Sequence, residues 1–175
     1  DLLRRGADIN EKDGKGNTMV MLALHRDHAD MAKFLIGQGV SVDAKDKDGN
    51  TTLMGTMGHA DIARLVLDKG VSVDEANNEG MTALLWGAYI GNEEYIRLLI
   101  DRGADLDRKS NNGESVHDLA KGYPEAVQLL LKAAEEKAKK VAEEKRVHAL
   151  HGDALDKQQR LNRLAKKNPV RGVKP

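Results

Sequence analysis

Histidine and carboxylate side chains are the groups that could do chemistry in this chain of 175 residues, which contains no cysteine. Two histidine pairs are spaced by three residues, His25 with His28 and His148 with His151, so either pair could share one helix face and bind a metal ion. Two nitrogens fall short of the usual ligand count of a protein metal site, and no thiolate can complete the set. The sequence therefore predicts no metal site.

Acid–base catalysis has no better support, because the carboxylates are scattered over turns and helix surfaces. Asp13 and Asp46 stand at equivalent turn positions, and neither has a fixed His or Ser partner nearby in the sequence. The stretch GKGNT at residues 14–18 has glycines and a lysine, but it follows no strand and lacks the Gly-Lys-Thr order of a phosphate loop. We expect no enzyme activity, no cofactor and no small-molecule substrate.

The elements that carry these residues repeat along the chain with a period of about 33 residues. Four hydroxyl residues mark the period at spacings of 33, 31 and 33, each preceded by Gly two positions earlier: Thr18, Thr51, Thr82 and Ser115. Downstream, three apolar runs each end shortly before a glycine: Gly39, Gly70 and Gly103. Aromatic residues make up only 3% of the chain, so we expect a core built from Leu, Ile, Val, Met and Ala.

Each marked position suits one structural role. The Thr and Ser residues suit helix N-caps, where a side-chain oxygen accepts an unpaired backbone N–H. The glycines after the apolar runs suit the left-handed residue that ends a helix. Sequences such as KDGKG and KDKDG suit tight turns. The unit is a turn, a helix, a short loop and a second helix, and several units must stack because one cannot bury its apolar face alone.

These marks resemble the ankyrin repeat, and Gly-Ala-Asp at residues 6–8 and 103–105 strengthens the resemblance. It covers residues 1–134 and implies an all-α solenoid of stacked helix-turn-helix units with β-turn fingers. Every repeat departs from the family's Thr-Pro-Leu-His sequence. The Pro and the His are both missing from their positions, and Met or Leu often stands there instead. We expect the fold to survive because the packing volume remains.

The repeat marks predict a division of the chain. A partial repeat at residues 1–13, which suggests a preceding repeat or cap, is followed by four repeats that start near residues 14, 47, 78 and 111. A charged helical extension follows at 135–167, and a basic tail at 168–175. The repeats that contain Thr51 and Ser115 are each two residues short before their second helix, so we expect their first helices to lose about half a turn.

The resemblance also implies where a partner would bind. Residues at the tips of the turns match positions at which ankyrin proteins touch partners: Lys15, Asn17, Lys47, Asp48, Asn50, Asn78, Glu79, Met81, Asn112 and Glu114. Trp86 and Tyr89 match first-helix positions at the edge of the concave groove, and exposed aromatic residues are enriched at interface centres. The alternative is that Trp86 packs on the next repeat and that most single tips are solvated loops.

Charge separates two hypotheses about function. Residues 1–131 carry 15 basic and 22 acidic side chains, whereas residues 157–175 carry 7 basic and no acidic ones. The favoured hypothesis is a scaffold, of adaptor or inhibitor type, that binds another protein. The alternative is a regulatory protein whose basic end, 157–175, binds nucleic acid or a membrane. No aromatic residue follows Tyr123, so contacts with nucleic acid would be made mainly to phosphate groups.

No stretch approaches the apolar length of a membrane span, and the chain begins with Asp1, so the sequence leaves the localisation open.

The end of the array departs most from the family. Ala134 stands where Gly103 stands one repeat earlier, so the last second helix should continue from about Glu125 to about Leu150. It should bury Val127, Leu130 and Leu131 against the preceding repeat. We expect a break at His151-Gly152-Asp153, a stop at Asn168-Pro169, and a helical hairpin in which 153–167 folds back.

Overall fold

A computed structural model describes residues 8–167 of the chain. Over that range the backbone forms helices that pair through short loops, and a tight turn separates each pair from the next. The helices are α1 Met19–His25, α2 Ala29–Gly37, α3 Thr52–Gly55, α4 Ala60–Asp68, α5 Ala83–Ile90, α6 Glu93–Asp101, α7 Val116–Leu119 and α8 Pro124–Lys167. A 3-10 turn, Ala120–Gly122, lies between α7 and α8. The predicted all-α solenoid is confirmed.

The first helix of every pair begins at the predicted N-cap. A side-chain hydroxyl oxygen accepts a hydrogen bond from the backbone N–H three residues later, at 3.2–3.4 Å, in all four pairs: Thr18, Thr51, Thr82 and Ser115. In the fourth pair the Asp118 carboxylate also accepts from the N–H and the hydroxyl of Ser115, and this lowers its pKa. The hydroxyl caps therefore fix where each first helix starts, and in the fourth pair the bonding is reciprocal.

The second helices of the first three pairs end as predicted. Gly39, Gly70 and Gly103 follow α2, α4 and α6 with φ values of 84°, 83° and 84°. A side chain at such a φ would be strained, and this is why the sequence places glycine there. The chain can then turn back toward the next finger.

Two first helices are shorter than the others, which confirms the predicted shortening. Helices α3 and α7 have 4 residues each, whereas α1 has 7 and α5 has 8. The shortening is therefore about one turn of helix, more than the half turn expected, because the chain also needs residues for the loop to the second helix.

The core lies between successive second helices and beneath the first helices. Ile62, Tyr95 and Ala126 occupy one register position of α4, α6 and α8 and are fully buried. Leu53 and Leu84 are equally buried in α3 and α5. Each repeat thus closes the apolar face of its neighbour, as the stacking argument requires.

Helix α8 continues where earlier second helices end. Ala134 occupies the register position of Gly103, and the helix passes through it without interruption. Alanine favours continuation, since it lacks the left-handed freedom of glycine and has the highest helix propensity. The predicted continuation is confirmed.

The predicted break at Gly152, and with it the helical hairpin, is wrong. Helix α8 runs unbroken as Pro124–Lys167, so Gly152 and Asp153 lie inside it. A glycine in a helix interior costs only about 1 kcal/mol relative to alanine, and helix-forming residues flank this one on both sides. The expected stop at Asn168-Pro169 and the basic tail 168–175 lie outside the described residues.

The predicted burial of three residues on α8 holds only in part. Leu130 is fully buried and Val127 is partly buried, but Leu131 is about half exposed. Leu131 corresponds to Ile36 of α2, which is buried where α4 packs on α2. Because α8 is the last second helix of the described array, no further second helix covers that side.

The chain divides into two compact units, Asp1–Ala133 and Ala134–Pro175. The first unit contains the repeats and their core. The second contains the rest of α8, and side chains 135–151 are all exposed. None of the described helices is long and apolar enough to cross a membrane.

Candidate functional site

Four tight turns, which we call the fingers, precede the first helices at residues 13–17, 46–50, 77–81 and 110–114. Backbone hydrogen bonds link each finger to the next. The N–H of Lys47 donates to the carbonyl of Lys15 at 2.9 Å, that of Asn78 to Asp48 at 3.0 Å, and that of Asn111 to Glu79 at 2.9 Å. The finger tips therefore form one connected row along the array.

Side chains inside the fingers fix their shape. In the first finger the Asp13 carboxylate accepts from the N–H groups of Lys15 and Asn17, both at 2.8 Å. Hydrogen bonding to the Asn17 side chain, and then to backbone N–H groups, lowers the pKa of Asp13. Asp46 and Asn77 repeat the same Asx arrangement in the second and third fingers. The fingers are therefore held by local bonds as well as by the row.

The structure presents most of the predicted tip residues on the outside of the row. Asn50 is partly exposed, and its side-chain oxygen accepts from the Asn77 amide at 2.8 Å, so it links two fingers. The exposed tip residues include two lysines in the first two fingers and only acidic or neutral types in the last two: Lys15, Lys47, Asp48, Asn78, Glu79, Asn112 and Glu114.

Asn17 and Met81 correct the predicted surface, because both side chains are buried. The Asn17 amide turns inward and donates to the Asp13 carboxylate at 3.1 Å. Met81 follows the glycine of its finger and joins the core. The structure therefore places these two side chains inside the fingers and not on their surface.

Trp86 and Tyr89 lie on α5 and contact each other. Their ring centroids are 5.7 Å apart with an interplanar angle of 83°, an edge-to-face arrangement. Tyr89 is 56% exposed, whereas Trp86 is partly buried. We call the exposed tip residues together with this aromatic pair the finger face.

A cavity of about 380 Å³ opens beside Trp86. Its walls come from three successive repeats: Leu24 and Asp27 from the first, Met54, Met57 and His59 from the second, and Trp86 from the third. His59 Nε2 lies 2.8 Å from an oxygen of Asp27, so this pair joins the first two repeats at the cavity rim. A polar cavity next to it, of about 650 Å³, reaches the first two fingers.

Sequence reasoning did not identify this cavity or its residues. The signal was available, since the repeat that contains Thr51 lacks two residues at this place and aligns Gly55 with Trp86. What the pattern could not give is the contact of Asp27 with His59, which are 32 residues apart.

The part of the chain that the structure describes contains no candidate metal site. No set of three His, Asp or Glu side chains there converges as metal ligands would. His25, His28, His148 and His151 are all exposed. What the described surface offers is a rigid row of polar tips beside an aromatic pair and an apolar cavity.

The arrangement agrees with a comparison against protein families. The family of ankyrin repeats, in a model of three copies, matches residues 1–77 and 56–141. Ankyrin repeats generally mediate protein–protein interaction. No curated protein matches the chain.

Proposed function

Because the chain belongs to the ankyrin-repeat family, we propose that it is a scaffold, of adaptor or inhibitor type, that binds another protein. The partner contacts the finger face, which is the side that the family resemblance makes concave. It touches the exposed tips and the aromatic pair, whereas Asn17 and Met81 act only as supports. The proposal excludes catalysis as the main role of the array.

The observation that carries the proposal is the aromatic pair on α5, in which Tyr89 is exposed and Trp86 is partly exposed. Tyr89 is 56% exposed in a chain that has one Trp, one Phe and three Tyr residues. Tyr and Trp supply large contact areas at a low cost in side-chain entropy, and they are enriched among residues that dominate binding energy. A protein partner that covers them would remove apolar surface from water.

The rigidity of the row supports the same proposal. Hydrogen bonds within and between the fingers hold the tips in place before any partner arrives. Binding then costs less entropy than it would with mobile loops. The mixture of Lys, Asn, Asp and Glu at the tips provides hydrogen-bond donors and acceptors for selecting one partner.

Affinity capture from the cells that make the protein, followed by mass spectrometry, tests the proposal. The full chain serves as bait, unchanged and as Trp86→Ala combined with Tyr89→Ala. We expect the double variant to lose the captured partner while its helical content, measured by circular dichroism, stays the same. The reason is that the pair lies on the surface, so its removal affects binding more than folding.

A matched control is available on the second helix of the first repeat. Met31 and Phe34 on α2 are 52% and 57% exposed, so their double replacement by Ala removes similar exposed apolar surface. We expect this control to keep the partner. Equal capture by both double variants would place the interface away from the finger face. If capture by the unchanged chain falls steeply as the salt concentration rises, binding through the basic end is favoured instead.

A further inference from the structure

The cavity beside Trp86 exists because α3 is short. Gly55 ends α3 and aligns with Trp86 of α5 and Leu22 of α1. Where the neighbouring repeats carry large side chains, Gly55 carries none. A Cβ added there would lie 3.5 Å from Leu24 Cδ1, an ordinary contact, so a side chain at this position would start beside Leu24 without a clash.

The cavity combines an apolar floor with a single carboxylate. Leu24 and Met54 are buried beneath it, and Met57 and Trp86 are partly exposed at its sides. No Lys or Arg lines it, and Asp27 is its one carboxylate. Arg26, the nearest basic residue in sequence, borders the adjacent polar cavity instead.

The Asp27 backbone adopts a conformation that glycine would adopt more easily. Its φ is 59°, and among the described residues it is the one non-glycine with a positive φ. Gly91 fills the corresponding position of the third repeat with φ 70°. Asp tolerates this region better than most residues, but glycine would relieve the remaining strain. The chain therefore keeps a carboxylate where the backbone alone would favour glycine.

We propose that the cavity is the anchor site of the finger face, and that it binds a segment of the partner in which a large apolar side chain stands next to a Lys or Arg. The apolar side chain enters the space beside Gly55, and the cation pairs with Asp27. This inference rests on the proposed function and names the partner chemistry for it.

Charge and exposure support this choice of occupant. The Asp27 side chain is 86% exposed although one of its oxygens contacts His59, so a cation of the partner can also approach it. Residues 1–131 carry a net charge of −7, which favours a basic segment over an acidic one. An anchor side chain in a pocket next to a complementary charge is the usual pattern of a binding hot spot.

A peptide selection provides the direct test. A random linear peptide library displayed on phage is selected on the unchanged full chain after removal of binders to Gly55→Leu. The leucine should fill the cavity, since its Cβ fits beside Leu24 without displacement. We expect the selected peptides to share a large apolar residue next to Lys or Arg.

Fluorescence then measures binding of synthetic copies of the selected peptides. Trp86 is the single Trp of the chain, so its emission reports directly on the cavity. We expect affinity to fall by about thirtyfold or more in Gly55→Leu, because the anchor is excluded. In Asp27→Gly we expect a fall of about two- to fivefold, as for an exposed ion pair. Asp27→Gly suits the backbone, since Gly91 holds the same conformation.

Three results would overturn the proposal: peptides without the apolar–cationic pair, peptides that bind Gly55→Leu equally well, or a selection that yields nothing above the Gly55→Leu background. Circular dichroism melting of each variant separates blocked binding from unfolding. The proposed function can survive the failure of this inference. If Gly55→Leu still captures the protein partner while the Trp86→Ala and Tyr89→Ala double variant does not, the scaffold function stands and the cavity is not its anchor.

Discussion

The first helices of the second and third repeats occupy equivalent positions but differ in length. Helix α3 stops after 4 residues at Gly55, whereas α5 continues for 8 residues to Ile90 and ends at a left-handed Gly91. A shortened helix leaves backbone carbonyls without their helical partners. The carbonyls at the end of α3 therefore need other hydrogen-bond donors.

The Leu53 carbonyl accepts a hydrogen bond from the Thr56 backbone N–H at 3.0 Å, and the next repeat adds two side-chain donors, one to α3 and one to the loop after it. The hydroxyl of Tyr95 donates to the Leu53 carbonyl at 2.6 Å, and the amide of Asn92 donates to the Met57 carbonyl at 2.8 Å. The Thr56 hydroxyl adds a local bond to Leu53 at 2.7 Å. The full repeat thus completes the short one, and the space that the missing turn leaves becomes the cavity beside Trp86.

The largest expected effect is on the core that both repeats share. Leu99 on α6 is fully buried, so Leu99→Ala should lower the free energy of unfolding by about 2–5 kcal/mol. Asn112→Ala at an exposed finger tip is the control and should change it by less than about 0.5 kcal/mol. Chemical denaturation measures both. Small and equal losses at the two positions would contradict the assigned repeat register.

Replacement of Asn92 tests the support that the loop after α3 receives. Asn92→Ala removes the N-cap bond to the Tyr95 N–H as well as the bond to Met57, and should cost about 1–2 kcal/mol. His28→Ala is the control, because His28 holds the equivalent N-cap position and makes no side-chain cap bond. Asn92→Asp keeps the cap acceptor and loses only the amide donor, so an intermediate cost in denaturation experiments is expected. If Asn92→Ala and His28→Ala cost the same, the support from Asn92 is not significant.

Removal of the Tyr95 hydroxyl tests the bond to Leu53. Tyr95 is fully buried, and burial raises the pKa of its hydroxyl, so the group stays a neutral donor at physiological pH. Tyr95→Phe should lower the free energy of unfolding by about 0.5–1.5 kcal/mol. Tyr123→Phe, at a more exposed ring, should leave it nearly unchanged. A thermal melt that gives no difference between the two would show that Thr56 alone satisfies Leu53.

The smallest effect concerns Gly55 and has the opposite sign. Gly55→Ala should raise the free energy of unfolding by about 0.4–1 kcal/mol, because alanine restricts the unfolded chain and its Cβ meets Leu24 only at contact distance. Gly87→Ala in α5 is the contrasting variant, since a Cβ there would lie 3.0 Å from the Tyr95 ring. That change should destabilise. If denaturation shows that both alanine variants stabilise the protein, the space beside Gly55 does not differ from that beside Gly87 in its tolerance of a Cβ.

Local signals in the sequence predicted most of the array. Hydroxyl N-caps such as Thr82 and the glycines that follow the second helices act within a few residues, so the pattern places both ends of most helices. The shortening of α3 followed from a count of residues. The break predicted at Gly152 is absent because helix-forming residues on both sides outweigh the cost of one glycine.

Long-range contacts explain what the sequence pattern could not predict. The Tyr95 hydroxyl reaches a carbonyl 42 residues away, and no local pattern records that bond. The burial of a finger residue is equally hard to predict from the sequence, since Met81 and Glu114 share a register position but only Glu114 is exposed. The side of each finger that faces a partner therefore depends on packing between repeats.

Hydrogen–deuterium exchange of the protein with and without its captured partner tests the central proposal most directly. If the finger face binds the partner, amides at the second and third fingers and around the cavity, residues 47–58 and 78–91, should exchange more slowly in the complex. Amides of α4 and α6, and those at residues 135–167, should keep their rates. Slower exchange confined to α4, α6 or residues 135–167, with unchanged rates at the fingers, would contradict the account.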